Sequence, residues 1–206
     1  MGKRSAIIAG CLLIFLAGGV MGAENRIPKA GIGFMAGISG IPGSLLDFFL
    51  YEHPEIRGNL YALEFRSYGD KGPKSVFSGL YCLEYNRISG QGYWRIEQSD
   101  RRLLGSGDVV QWNLTATILL NIFPTSVIHL YLGGGIGIGR MKVQAEGVYV
   151  DEVGTTISQT YQLDKIIPVG HLPVGLIVNV GNHLELRAEA GFKNGFYGAA
   201  SVVFNY

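Results

Sequence analysis

The sequence is short of charge, of cysteine and of long apolar runs, and each shortage closes off a class of protein. Charged residues make up 16% of the 206 positions, against about a quarter in a soluble domain. A hydrophobic share of 48% with so little charge points to a lipid environment. Yet beyond the N-terminus no stretch approaches the roughly 18 apolar residues of a spanning helix. Lipid cannot satisfy exposed backbone N–H and C=O groups, so a membrane chain without such helices must close a barrel. Cysteine is limited to Cys11 and Cys82. With Cys11 in a leader, Cys82 stands alone. That allows no intramolecular disulfide and no cysteine-based metal site, and a small buried side chain is its simplest role. Neither sign of charge dominates. The 17 basic residues lose Lys3 and Arg4 with the leader, leaving 15 against 16 acidic ones. This gives no electrostatic case for nucleic acid or for a polybasic membrane patch. No residue pattern asks for a metal or a cofactor.

What is present begins with the leader. Lys3 and Arg4 form a charged start, residues 6–20 a short apolar run, and Val20-Met21-Gly22-Ala23 a small-residue stretch. That order is a secretory signal peptide, with cleavage near Ala23. The expected domains are a signal peptide, 1–23, and one barrel domain, 24–206. Ile8-Ala9-Gly10-Cys11 has the form of a lipoprotein box, but the apolar run continues past Cys11, so the box sits too early.

The mature chain alternates. Membrane strands of 9–11 residues place apolar side chains toward lipid and polar ones toward the lumen. At 184–192, Leu184, Leu186, Ala188, Ala190 and Phe192 alternate with Glu185, Arg187, Glu189 and Gly191. At 110–120, Val110, Trp112, Leu114, Ala116, Ile118 and Leu120 alternate with Gln111, Asn113, Thr115, Thr117 and Leu119. A helix, with its period of 3.6, cannot keep those charges on one face. Weaker alternation at about 31–41, 60–68, 76–86, 127–139, 165–179 and 196–206 brings the count to eight strands. In 165–179, Pro168 and Pro173 cannot donate to a ladder. The reading places Pro168 above the membrane and Pro173 at a bulge. Connections then run long at 42–58, 87–109 and 142–164 and short at 70–74, 121–126 and 180–183, as outer loops and inner turns do; only the final outer loop, 193–195, is short, and its Asn-Gly reads as a tight hairpin. Tyr61, Tyr85, Trp112, Phe192 and Phe196 fall near one rim, and Phe77, Phe204 and Tyr206 near the other. Gly31-Ile32-Gly33-Phe34-Met35-Ala36 fits a relaxed dinucleotide fingerprint, but no βαβ unit surrounds it.

The fold class is therefore all-β: an eight-stranded antiparallel transmembrane β-barrel, an up-and-down meander behind a cleaved leader. Over about 24–206 the chain resembles the small outer-membrane barrels of the OmpA, OmpX and OmpW types. The most specific piece is the alternating end, Phe196-Tyr197-Gly198-Ala199-Ala200-Ser201-Val202-Val203-Phe204-Asn205-Tyr206, where such families usually carry a final Phe and this chain has Tyr206. The resemblance implies outer-membrane location, insertion by the barrel-assembly machinery and contact with lipopolysaccharide-like lipid.

The candidate functional residues follow from the faces. Glu64, Arg66, Glu84, Glu185, Arg187 and Glu189 should point inward. An eight-stranded interior is only just wide enough for its own side chains. Charges there must pair, so the leading expectation is a charge network that plugs the barrel, centred on Arg66 and Arg187. The alternative is a narrow passage for ions or for small, hydrophobic solutes. Glycines 133, 135, 137 and 139 would thin the inner wall, for curvature or for a small-molecule pocket. A lipid A-modifying enzyme would need a His and a nucleophile at the outer rim. His129 and His171 should lie inside and His183 in an inner turn. Only His53, beside Glu52 and Glu55, is suitably placed, and no serine spacing accompanies it. In the outer loops, Phe48, Phe49 and Tyr51 lie in an apolar stretch of the kind that marks interaction sites. Trp94, Arg101 and Arg102 offer contacts to phosphates or to a surface partner. The reading is a non-enzymatic barrel with a structural or surface-interaction role.

Overall fold

The structure, a computed structural model, describes residues 27–41, 47, 50–96, 103–150 and 156–206. The expected leader lies outside them. The strands are β1 Ala30–Ile41, β2 Leu50–Glu52, β3 Ile56–Tyr68, β4 Phe77–Ile96, β5 Leu103–Ile122, β6 Ile128–Val150, β7 Thr156–Val180, β8 Leu184–Phe192 and β9 Phe196–Asn205. β1 pairs with β3, and each later strand pairs antiparallel with the next. β9 returns to β1, from Gly31 opposite Asn205 to Gly40 opposite Phe196. The ring of eight is closed, so no backbone edge faces outward along it. β2 is an addition to the ring, paired with the far end of β4.

The turns after β3, β5 and β7 and both ends of the described chain lie at one end, called lower here; the Lys29 N–H donates to the Tyr206 carbonyl (3.1 Å). At the upper end β8 and β9 meet in a tight turn, where Asn194 takes φ 52. Asn tolerates that left-handed conformation better than most residues.

Four strands are far longer than the alternation predicts. β6 has 23 residues and β7 has 25, about twice what a bilayer crossing needs. β4 and β5 have 20 each. Most of the stretches expected as long loops, 87–109 and 142–164, are strand. β4 to β7 therefore rise together above the ring as a four-stranded sheet. β2 flanks it on the β4 side. On the other side β7 stands beyond β8, whose pairing stops at Leu172 opposite Phe192.

Both prolines sit inside β7, and each avoids a ladder for its own reason. The Pro168 carbonyl accepts from Asn194 Nδ2 (3.1 Å). In an antiparallel strand N–H and C=O of one residue point the same way. The missing donor of Pro168 therefore points to the side where β8 has already turned back. Pro168 pairs across β6 with Ile138, a lipid-facing residue, so it is not above the apolar belt. Pro173 points to β6. There the pairing passes from Leu132–Val174 to Gly135–His171 in unbroken register. It occupies a gap in the ladder and not a bulge.

Candidate functional site: the lumen and the sheet above it

The interior is built from the polar half of the alternation. Glu64, Arg66, Glu84, Glu185, Arg187 and Glu189 are all buried, and the barrel brings them into ion pairs at three levels. At the lower end Arg66 donates through NH1 to Glu185 Oε1 (2.9 Å) and through NH2 to Ser78 Oγ (3.0 Å). The Tyr68 hydroxyl lies 3.2 Å from Glu185 Oε2 and 2.7 Å from Asn205 Oδ1. In the middle Arg187 is shared: its NH2 meets Glu64, and its Nε lies 3.2 Å from Glu189 Oε2. Glu189 also accepts from the hydroxyls of Tyr131 and Tyr197.

Higher up, His171 links three walls. Its Nδ1 is 2.7 Å from Thr117 Oγ1 and its Nε2 is 2.7 Å from the Tyr197 hydroxyl. Tyr197 gives its proton to Glu189 Oε1 (2.7 Å), so Nε2 of His171 is the donor and Nδ1 accepts from Thr117. Near the upper end Lys193 Nζ meets Glu84 Oε2 at 2.5 Å, and Asn113 Nδ2 donates to Glu84 Oε1 (2.8 Å). Apolar side chains fill the remaining inner space in two clusters, Leu80, Cys82, Leu119, Tyr131 and Ile177 in one and Met35, Leu60, Ala62 and Tyr197 in the other.

Lys193 was missed from sequence, because it stands in the shortest turn. Its signal is parity. It continues the inward series 185, 187, 189 of β8 by two further steps. The inward glycines of β6 hold no pocket. A Cβ at Gly137 would lie 2.1 Å from the Leu114 carbonyl oxygen, and one at Gly135 2.5 Å from that of Ala116. They let a tightly curved wall close.

The outward half of the alternation is apolar and exposed. Ile136 and Ile166 are each 79% exposed, and Ile118 and Leu114 lie on the same belt. Tyr85 and Trp112 pack together at its upper edge, their ring centroids 4.9 Å apart. A contiguous apolar surface of this size is not stable in water, and a closed ring with polar contents suits hydrocarbon. This chain is a transmembrane β-barrel of the outer-membrane type.

No protein-family model matches the chain, and no curated protein matches it. Solved outer-membrane barrels overlay on it at low identity. Neisserial surface protein A is 13% identical, with 86% of this chain and 96% of that one covered and a TM-score of 0.49. Ail, the attachment invasion locus protein of Yersinia pestis, is 13% identical over 88% and 99%, with a TM-score of 0.44. An outer-membrane channel from Pseudomonas putida F1 is 10% identical over 89% and 99%, with a TM-score of 0.35.

Above the belt the barrel's two faces exchange character. On the outward face of the four long strands, Tyr85, Trp112 and Ile138 give way to Arg87, Asp108, Arg140, Lys142 and Asp164. Arg87 pairs with Asp108 through Nε and NH2 (3.1 and 2.6 Å). Arg140 pairs likewise with Asp164 (2.9 and 2.8 Å), and that bond holds the Asp164 carboxyl below its usual range. The pair therefore favours the folded sheet at neutral pH and loses that effect only as pH falls through the lowered value. On the inward face the row Glu84, Asn113, Gly139 and Ile167 is followed by Asn86, Gln111, Met141 and Lys165, and then by the wholly apolar row Ile88, Val109, Val143 and Leu163.

Of the expected loop residues, Phe48, Phe49, Arg101 and Arg102 lie outside the described residues. Of Tyr51 and Trp94 only the backbone is described, in β2 and β4. His53 has Nε2 3.0 Å from Asp47 Oδ1 and Nδ1 3.1 Å from the Pro54 carbonyl. Its acidic neighbour Glu55 pairs with Arg57 (3.0 Å).

Proposed function

We propose that the protein is a non-enzymatic outer-membrane barrel. In this reading its own side chains close the lumen, and its projecting sheet makes contacts at the cell surface. The reading rests above all on the Glu84–Lys193 pair. β4 and the β8 end that carries Lys193 stand on opposite sides of the eight-membered ring, so this contact crosses the full diameter. Below it, Arg66–Glu185 and Arg187–Glu64 join β3 to β8. Moving an ion past them requires separating buried opposite charges, at a cost of several kcal/mol each. Contact with lipopolysaccharide-like lipid, and insertion by the barrel-assembly machinery, belong to the same proposal.

The test is electrical. Purified protein inserted into a planar bilayer should give no steady single-channel current. Steady unitary currents from the wild type would overturn the closed lumen and favour a narrow passage. Lipid A from expressing cells should show no change in mass. Loss or gain of an acyl chain would identify an enzyme.

A further inference from the structure

The reversal of faces leaves an apolar strip above the mouth that the closed lumen does not use. Ile88, Val109, Val143 and Leu163 stand directly opposite one another across β4, β5, β6 and β7. All four are half-buried on the inward face. Four strands at roughly 4.8 Å spacing make this row about 14 Å long. The next row up is Gly90, Gly107, Ala145 and Tyr161, so over β4 to β6 the strip opens onto a floor with almost no side chains, and Tyr161 stands at its β7 end. No described atom lies within 4 Å of where a Cβ of Gly107 would stand. One end of that floor is walled: Pro54 and Ile56 lie over Gly90. At the other end of the strip, one pair below Leu163, stands Lys165, exposed and opposite Met141. Its neighbours in that row, Asn86 and Gln111, are uncharged.

An apolar row about 14 Å long with one cation beside its end matches a single-chain amphiphilic anion in length and charge. We propose that the inward face of the projecting sheet binds a fatty-acid-like anion, with the alkyl chain along the Ile88–Leu163 row and the carboxylate at Lys165. The apolar row supplies affinity through buried area, and Lys165 sets the direction of the chain. The site deepens the surface-contact reading and rests on it. The bilayer measurement tests the closed lumen separately, so either can fail without the other.

The experiment is equilibrium binding of dodecanoate to the full chain in phosphatidylcholine nanodiscs, with empty nanodiscs as blank and dodecanol as the uncharged analogue. The expected result is one saturable site per barrel. Val143→Asn should weaken it at least tenfold, while Gln144→Asn, one residue away on the outward face, leaves it unchanged. Lys165→Gln should weaken dodecanoate several-fold and leave dodecanol alone. Heat-modifiable migration on gels reports that each variant is folded. Uptake equal to that of empty discs, or dodecanoate binding indifferent to Val143→Asn, would overturn the site. Equal loss of both ligands in Lys165→Gln would overturn the anion.

Discussion

Lys193 carries more of the closed lumen than its place in a three-residue turn suggests. It is buried, its ammonium lies 5.1 Å from the centre of the Tyr197 ring, and it is the cation on Glu84. Taking it away leaves a carboxylate enclosed without a positive partner. Lys193→Met should therefore cost about 3–5 kcal/mol of folding free energy. Adding Glu84→Gln removes the stranded charge and should restore most of the loss, because groups in contact do not act additively. Urea titration in lipid vesicles, read by tryptophan fluorescence, measures both. If the double variant is no more stable than Lys193→Met, the pair does not govern that end of the lumen. The inward carboxylates and arginines were legible in the sequence because a charge on one face of an alternating strand stands out, cleanly in β8 and more weakly in β3 and β4. Lys193, Tyr131 and Tyr197 were not singled out, since a turn lysine and an inward tyrosine have no distinguishing pattern. Only the closed ring shows which walls they join.

At the level of the strand, β6 shows both what alternation reveals and where it misleads. Its inward glycines alternate with Ile136 and Ile138, which fixed the register. Their purpose is local. A Cβ at Gly137 meets the Leu114 carbonyl and the Thr115 Cα (2.8 Å) on β5, whereas one at the outward Gly134 has nothing within 4 Å. Gly137→Ala should destabilise the barrel by about 1–3 kcal/mol through overpacking. Gly134→Ala should be neutral or slightly stabilising, because it restricts the unfolded chain. Opposite signs in the same urea titration check this, and equal effects would show that the wall has room. Beyond Gly139 the period of two continues, but its sense reverses: Arg140, Lys142 and Gln144 face out while Met141, Val143 and Ala145 face in. A search for apolar-outward strands stops at that reversal, which is why β4 to β7 were read as ending in loops. The prolines of β7 misled for a related reason. A proline forbids a ladder only on the side its nitrogen faces, and sequence alone does not say which side that is.

For the whole molecule, the reversal of faces marks where lipid ends, because each face takes the polarity of what it touches. Along β6 the outward change falls between Ile138 and Arg140; across Arg140's own row stand Tyr61, Tyr85, Trp112 and Ile166, the upper edge of the belt. Two substitutions on one face of one strand test this. Ile136 points outward within the belt and is 79% exposed. Gln144 points outward eight residues higher, roughly 26 Å along the strand. An arginine at the hydrocarbon midplane costs about 2–4 kcal/mol, and almost nothing outside it. Ile136→Arg should therefore lower folding stability in vesicles by an amount of that order, while Gln144→Arg leaves it unchanged. In thicker bilayers the penalty at Ile136 should persist. If both variants behave alike, the wall is not divided into a hydrocarbon zone and an aqueous one at Arg140. The strip above the mouth then loses its boundary too, since its apolar row is inward only because water begins on the other side.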